Sequence, residues 1–231
     1  MHIIWQSLRP LLLDGLPTTI LLTLGLLGGG LLLGFPLAFL QVYGYKPLRL
    51  FCKAYEQFFR GIPALVLILI FHSGLARSFH IFLPPFTSAL LALGLRSSAY
   101  QSQIFRGAIQ AVSPGQMLAA RSIGMSKVQA IRHVILPQAF RLSVPPWTNE
   151  FSSVLKDTSL ASAIGVVELM KKGMLLMPTV QSALGARWIL VLLIVVAIIY
   201  LILTYLGNMS LGLLERRIRI PGFELRGRAD R

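Results

Sequence analysis

Residues 113–137 read Ser-Pro-Gly-Gln-Met-Leu-Ala-Ala-Arg-Ser-Ile-Gly-Met-Ser-Lys-Val-Gln-Ala-Ile-Arg-His-Val-Ile-Leu-Pro. Ser113 and Gln116 have the spacing of a capping box, with Pro114 at the first helical position, so a helix should begin here. Gly124 is placed to end it about two and a half turns later. Ser126 and Gln129 repeat the box and open a second helix, which is expected to stop near Leu136 because Pro137 follows. Two short capped helices meeting at Gly124-Met125 make a compact elbow over residues 113–136. The small pair Ala119-Ala120 would let another surface come close. Arg121, Lys127, Arg132 and His133 make the elbow basic. On spacing alone, it also fits an ordinary cytoplasmic loop of a membrane protein.

The sequence on either side decides in favour of a membrane. Of 231 residues, 55% are hydrophobic and only 13% charged, which excludes an ordinary soluble domain. The first apolar span runs from about Pro17 to Val42, long enough to cross a bilayer at ~20 residues. Within it, Gly25/Gly29 and Gly30/Gly34 give two small-xxx-small spacings that favour close helix packing. Further spans are expected at about Ile62–Ser78, Phe86–Val112, Trp147–Met170 and Trp188–Leu206. Residues 43–60 read as a loop, and Pro84-Pro85 as a stiff break. The expected organisation is an external segment at 1–16, a membrane domain at 17–212 and a basic tail at 213–231. Residues 1–16, with Pro10 and Asp14, do not look like a cleavable signal peptide. The single cysteine, Cys52, excludes an internal disulfide.

A net charge of +14 would suggest nucleic acid for a soluble chain, but here the cations cluster in loops. One side carries Lys46, Arg49, Lys53, Arg60, Arg106, Arg121, Lys127, Arg132, Arg141, Arg216, Arg217, Arg219, Arg226, Arg228 and Arg231. The other carries Arg9, Arg77, Lys171, Lys172 and Arg187. Fifteen against five puts the elbow and the C-terminus in the cytoplasm and the N-terminus outside.

The span Trp147–Met170 is unusual, because it holds Asn149, Glu150, Lys156, Asp157, Thr158 and Glu168. Ionisable groups in a bilayer are costly and mark pathways or partners. Glu150, Ser153 and Asp157 follow i, i+3, i+7 spacing, so one helix face should look into the bundle or a water-filled cavity. The two carboxylates lie about 10 Å apart at helical rise, so each needs its own partner. Solvation at the membrane interface is the plainer alternative for Lys156 and Asp157. Arg96 in the third span could meet a substrate carboxylate in bidentate fashion or neutralise Glu150. Arg60 is expected to reach lipid headgroups or the elbow, with a gating role as an alternative. His2, His72, His80 and His133 lack metal-ligand spacing. No phosphate-cradling Gly-x-x-x-x-Gly-Lys run and no nucleophile motif is present.

Several of these stretches carry a family likeness. Gly115-Gln116-Met117-Leu118-Ala119-Ala120, then Gly124 and Ile135-Leu136-Pro137-Gln138-Ala139, resembles the EAA loop of ATP-binding-cassette (ABC) importer permeases. Tyr55-Glu56-Gln57-Phe58-Phe59-Arg60-Gly61-Ile62-Pro63, Ala99-Tyr100 with Arg106, and Leu155-Lys156-Asp157-Thr158-Ser159-Leu160 resemble the polar amino acid branch. The likeness spans about residues 10–215. Leu118 departs from the Glu usual in the loop, and Gln103 from a common acidic residue.

The resemblance implies an all-α integral membrane protein of the bacterial inner membrane. It would have five transmembrane helices in the type I (MetI-like) architecture and a cytoplasmic coupling helix. It would pair with a second copy or a close relative. Two ATPase subunits would grip the elbows through Gly115, Gln116, Ala119, Ala120, Arg121, Gly124 and Met125. An extracytoplasmic solute-binding protein would deliver a polar amino acid to Glu150, Asn149, Arg96, Ser153 and Asp157. No cofactor, metal or nucleic acid is expected on this chain, and ATP with Mg belongs to the ATPase. Two other readings stay open: an ion-gradient carrier using Glu150 or Asp157, and an intramembrane enzyme.

Overall fold

In the computed structural model, residues 9–218 are described; residues 1–8 with His2, and the tail residues Arg219, Arg226, Arg228 and Arg231, lie outside that range. Helix α1 (Leu11–Tyr43) begins earlier than the hydropathy pattern suggests and takes in part of the expected external segment. Its first turn, Leu11–Gly15, is a π-turn just ahead of Pro17. A proline ring clashes with the carbonyl four residues back and donates no hydrogen bond, and a widened turn relieves both problems.

Helix α2 (Lys46–Gly61) replaces the expected loop. Pro47 stands in its first turn, and its Cys52/Glu56 face is buried. Helix α3 (Ala64–Phe79) leaves α2 at an angle of 100°. The bend falls at Ile62, held extended (φ −90°, ψ 134°) by the following Pro63. Helix α4 (Pro85–Ala111) starts after the Pro84-Pro85 break, as expected. Helix α5 (Pro114–Ser122) is the first arm of the elbow.

The second arm does not stop at Leu136. Lys127–Ala130 runs through a π-turn at Ile131–Ile135 into Leu136–Asp157, giving one helix, α6, over residues 127–157. As at Pro17, the widened turn lies directly before a proline, here Pro137. At 1.5 Å per residue, α6 is a rod of about 45 Å. A 3-10 segment (Thr158–Ile164) follows, closed by Gly165 at φ 93°. Helix α7 (Leu169–Leu184) and helix α8 (Arg187–Ile218) complete the described chain.

Leu22 and Leu26 of α1, Leu67 and Ile68 of α3, Ala92 and Leu93 of α4 and Val154 of α6 pack into the central core. A second cluster, Leu11, Leu169, Val180, Leu192 and Val196, ties the start of α1 to α7 and α8. A third, Ala108, Ile109, Val112, Ile135 and Ala139, lies under the elbow. By length and composition α1 and α8 can each cross a membrane, and the bent α2/α3 pair makes a third candidate. Hydropathy alone therefore does not reproduce the expected five. Helices α4 and α6 are long enough, but they carry the polar groups described below.

The glycines of α1 do not act alike. A Cβ on Gly34 would lie 2.7 Å from the backbone oxygen of Ser98, and one on Gly30 would meet the Gln101 side chain. Around Gly28 and Gly29 there is open space. The Gly30/Gly34 spacing thus seats α1 directly on α4, whereas Gly29 has no packing role. Gly34→Ala is expected to destabilise the detergent-solubilised protein by about 1–3 kcal/mol, through overpacking against backbone. Gly29→Ala should stay within about 0.5 kcal/mol of the parent in the same thermal-unfolding measurement.

Candidate functional site

The elbow is built by its caps. Ser126 and Gln129 form the full box: Gln129 N donates to Ser126 Oγ at 3.2 Å and Ser126 N donates to Gln129 Oε1 at 2.8 Å. The box expected at Ser113 is only half made. Ser113 Oγ accepts from Gly115 N at 3.3 Å. The Gln116 side chain turns instead to Gln138, whose Nε2 donates to it at 3.4 Å. Gly124 takes the left-handed conformation (φ 89°) that ends α5. Arg121 Nη1 then donates to the Met125 carbonyl at 3.0 Å and braces the turn. Of the seven residues assigned to coupling, Gly115, Gln116, Ala119, Arg121 and Gly124 are exposed, and Met125 is partly so. Ala120 faces inward and is buried, so the expected small pair presents only Ala119. The outward apolar side chains are Leu118, Ile123 and Val128, at 68%, 76% and 73% exposure. Solvent exposure is a poor state for three large apolar side chains so close together, and it marks this face for a partner.

The same rod carries the polar face inward. A cleft of about 420 Å³ is lined by Arg96, Tyr100 and Ile104 of α4 and by Pro146, Asn149, Glu150, Ser153 and Asp157 of α6. All five residues assigned to the substrate therefore line one cavity. Arg96 Nη1 donates to Asp157 Oδ2 at 2.6 Å, so of the two readings left open for Arg96 the neutralisation of Glu150 is not what the structure shows. Glu150 accepts instead from Ser97 Oγ at 2.8 Å. Among the described residues, Glu150 has no salt-bridge partner within 4 Å. Among the described residues the Nε of Arg96 is buried without a hydrogen-bond partner. The cleft thus holds one carboxylate, Glu150, met by a hydroxyl, and a guanidinium about one quarter exposed that is engaged by Asp157. Tyr100, singled out in the sequence only as part of a family-like stretch and not as a site residue, has its ring 4.8 Å from the Arg96 guanidinium carbon and accepts weakly from Arg96 at 3.4 Å.

Two further buried carboxylates have structural work. Glu168 caps α7, accepting from Met170 N at 2.8 Å, Lys171 N at 2.7 Å and Tyr200 Oη at 2.6 Å. A carboxylate at a helix N-terminus answers both the free N–H groups and the dipole. Glu56 accepts from Gln41 Nε2 at 2.9 Å, Arg106 Nη2 at 3.1 Å and Arg60 Nη1 at 3.3 Å. Arg60 therefore points to Glu56 rather than to the elbow. Gln101 donates to the Leu27 carbonyl at 3.1 Å and accepts from Trp147 Nε1 at 2.9 Å, joining α1, α4 and α6.

Lipid-facing helices around a polar cleft, with an external handle on the same rod, describe a membrane transport component. The sequence matches the family described as binding-protein-dependent transport system inner membrane component over residues 30–220, and the chain belongs to that family. The L-cystine transport system permease of Bacillus subtilis is 40% identical over 94% of this chain and 90% of its own length. The glutamine transport system permease of Escherichia coli is 33% identical over 94% and 96%. A solved structure described as an amino acid ABC transporter with histidines aligns with TM-score 0.83 at 35% identity, covering 94% of this chain and 98% of that one. An inward-facing methionine ABC transporter shares the fold at TM-score 0.75 and 19% identity. The chain is an ABC importer permease subunit of the inner membrane, with the expected MetI-like architecture. The gradient-driven alternative gains no support from these relatives.

Arg96 and Asp157 are each about one quarter exposed, so their pairing is screened in part. Arg96→Gln and Asp157→Asn should couple by about 1 kcal/mol in a double-mutant cycle on thermal unfolding. Additive single effects would mean that the pair contributes nothing to holding α4 against α6.

Proposed function

We propose that this permease moves a polar amino acid through the cleft between α4 and α6, and that an ATPase grips its elbow. The observation that carries this reading is the pairing pattern in the cleft. Asp157 is matched by Arg96, while among the described residues Glu150 is met by a hydroxyl and by no cation within 4 Å. A zwitterion's ammonium would fill that gap, and its carboxylate would turn to the exposed quarter of the Arg96 side chain. A volume of about 420 Å³ suits a small molecule of that kind. Relatives described as cystine and glutamine permeases support a dipolar amino acid as the cargo.

The exposed face of Leu118, Ile123 and Val128, rimmed by Arg121, Lys127 and Arg132, suits an apolar ATPase surface with an acidic margin. Leu118 replaces a charged contact with an apolar one there. Two permease subunits, identical or mixed, would bind two ATPases carrying ATP and Mg, with a solute-binding protein delivering cargo from outside. The N-terminus lies outside and the elbow in the cytoplasm. ATP-driven closure would pull the elbows together and carry α6 with them.

Uptake into vesicles by the complete importer tests the cleft. Glu150→Gln should raise KM about tenfold, as expected when a charged hydrogen bond to the cargo is lost. Unchanged uptake would remove Glu150 from the site. Orientation has its own test. A cysteine placed by Ser126→Cys in a Cys52→Ala background should react with an impermeant thiol reagent only in inside-out vesicles.

A further inference from the structure

Arg60 is the last cation of α2, and it does more than neutralise Glu56. The buried Glu56 carboxylate already holds Arg106 at 3.1 Å, so two guanidiniums share one anion. The surplus charge of Arg60 is turned toward Tyr100, with its central carbon 5.0 Å from the ring centroid. Arg96 stands 4.8 Å from the centroid of the same ring. The Nε of Arg60 is buried without a hydrogen-bond partner. Among the described residues its guanidinium is held by Glu56 and the aromatic ring. The Tyr100 hydroxyl has there one weak donor, Arg96 Nη2 at 3.4 Å, and the two cations flank its ring. That ring is a wall of the cleft.

We infer that Arg60 is a positioning residue of the cleft: it fixes the Tyr100 ring, so that cargo affinity depends on the bend between α2 and α3. Arg60 sits one residue before Gly61, at the end of α2 beside the 100° bend. A change in that bend shifts the guanidinium across the ring and loosens the wall. A continuous chain, Glu56–Arg60–Tyr100–Arg96–Asp157, then runs from α2 through α4 to α6. This inference rests on the cleft being the cargo site.

The test is a double-mutant cycle on KM for uptake into vesicles by the complete importer. The probe is the best-transported member of a panel of labelled L-arginine, L-histidine, L-glutamine, L-glutamate and L-cystine. Arg60→Gln and Tyr100→Leu should each raise KM about fivefold, the worth of one partly desolvated cation–π contact, and the double variant should also rise only about fivefold. Arg60→Lys keeps a cation near the ring and should recover most of the affinity. A double variant near the product of the single effects, about twenty-five-fold, would show that Arg60 acts only through Glu56 and would overturn the inference. If Arg60→Gln does not assemble, Arg60→Met, which keeps the apolar stem and removes the cation, takes its place in the cycle with Tyr100→Leu. Should Glu150→Gln leave uptake untouched, the cleft reading itself fails. An intact Glu150 effect with additive Arg60 and Tyr100 effects sinks only the role given to Arg60.

Discussion

Hydrocarbon offers a buried donor or acceptor nothing to bond with, and this constraint orders the interior of the chain. Thr19 and Thr23 return their hydroxyls to the carbonyls of Gly15 and Thr19. Thr19 also accepts from the backbone of Leu169, which fixes where α7 begins against α1. Gln101 spends its amide on α1 and α6 together. Such ties matter more here than in water, because lipid tails are as apolar as leucine and helix association draws little from the hydrophobic effect. Register is then set by close backbone approach, as at Gly34, and by polar groups that bond across helices. Large apolar side chains such as Leu24, Leu32 and Leu201 stay on the outside, where the bilayer accepts them.

Much of this was legible in the sequence where local chemistry decides local structure. The Ser126 box, the Gly124 turn and the Pro84-Pro85 break are short-range signals, and each appears in the structure where it was read. The face of Glu150, Ser153 and Asp157 followed from helical spacing alone. Other features depend on neighbours that spacing does not reveal. Residues 46–61 looked like a loop because their cations hid a helix whose buried face is Cys52 and Glu56. Pro137 looked like a stop because the rule for proline assumes a regular α-turn before it, and a π-turn removes the clash. Asp157 was not foreseen as the partner of Arg96 because Asp157 and Glu150 share a face, and only the tertiary placement of α4 chooses between them. Glu56 was read only as part of a family-like stretch and given no role, because its partners Gln41 and Arg106 lie far away in sequence on two other helices.

The continuity of α6 through Pro137 has a mechanical consequence. Two separate helices would absorb a push on the elbow at their junction, whereas one continuous helix carries it about 35 Å, from Lys127 to the level of Glu150. Glu56 ties α1, α2 and α4 into one group through Gln41, Arg60 and Arg106. The rod meets that group through apolar packing, with Val154 in the central core and Ile135 and Ala139 under the elbow, and through polar contacts: Trp147 to Gln101, Glu150 to Ser97, and Asp157 to Arg96. The polar contacts line or adjoin the cleft, so its two walls belong to different helices, α4 and α6. Under the proposed function, cargo held between α4 and α6 would feel a shift of the rod that a site within one helix group would not, which is the differential binding that a driven transport cycle requires.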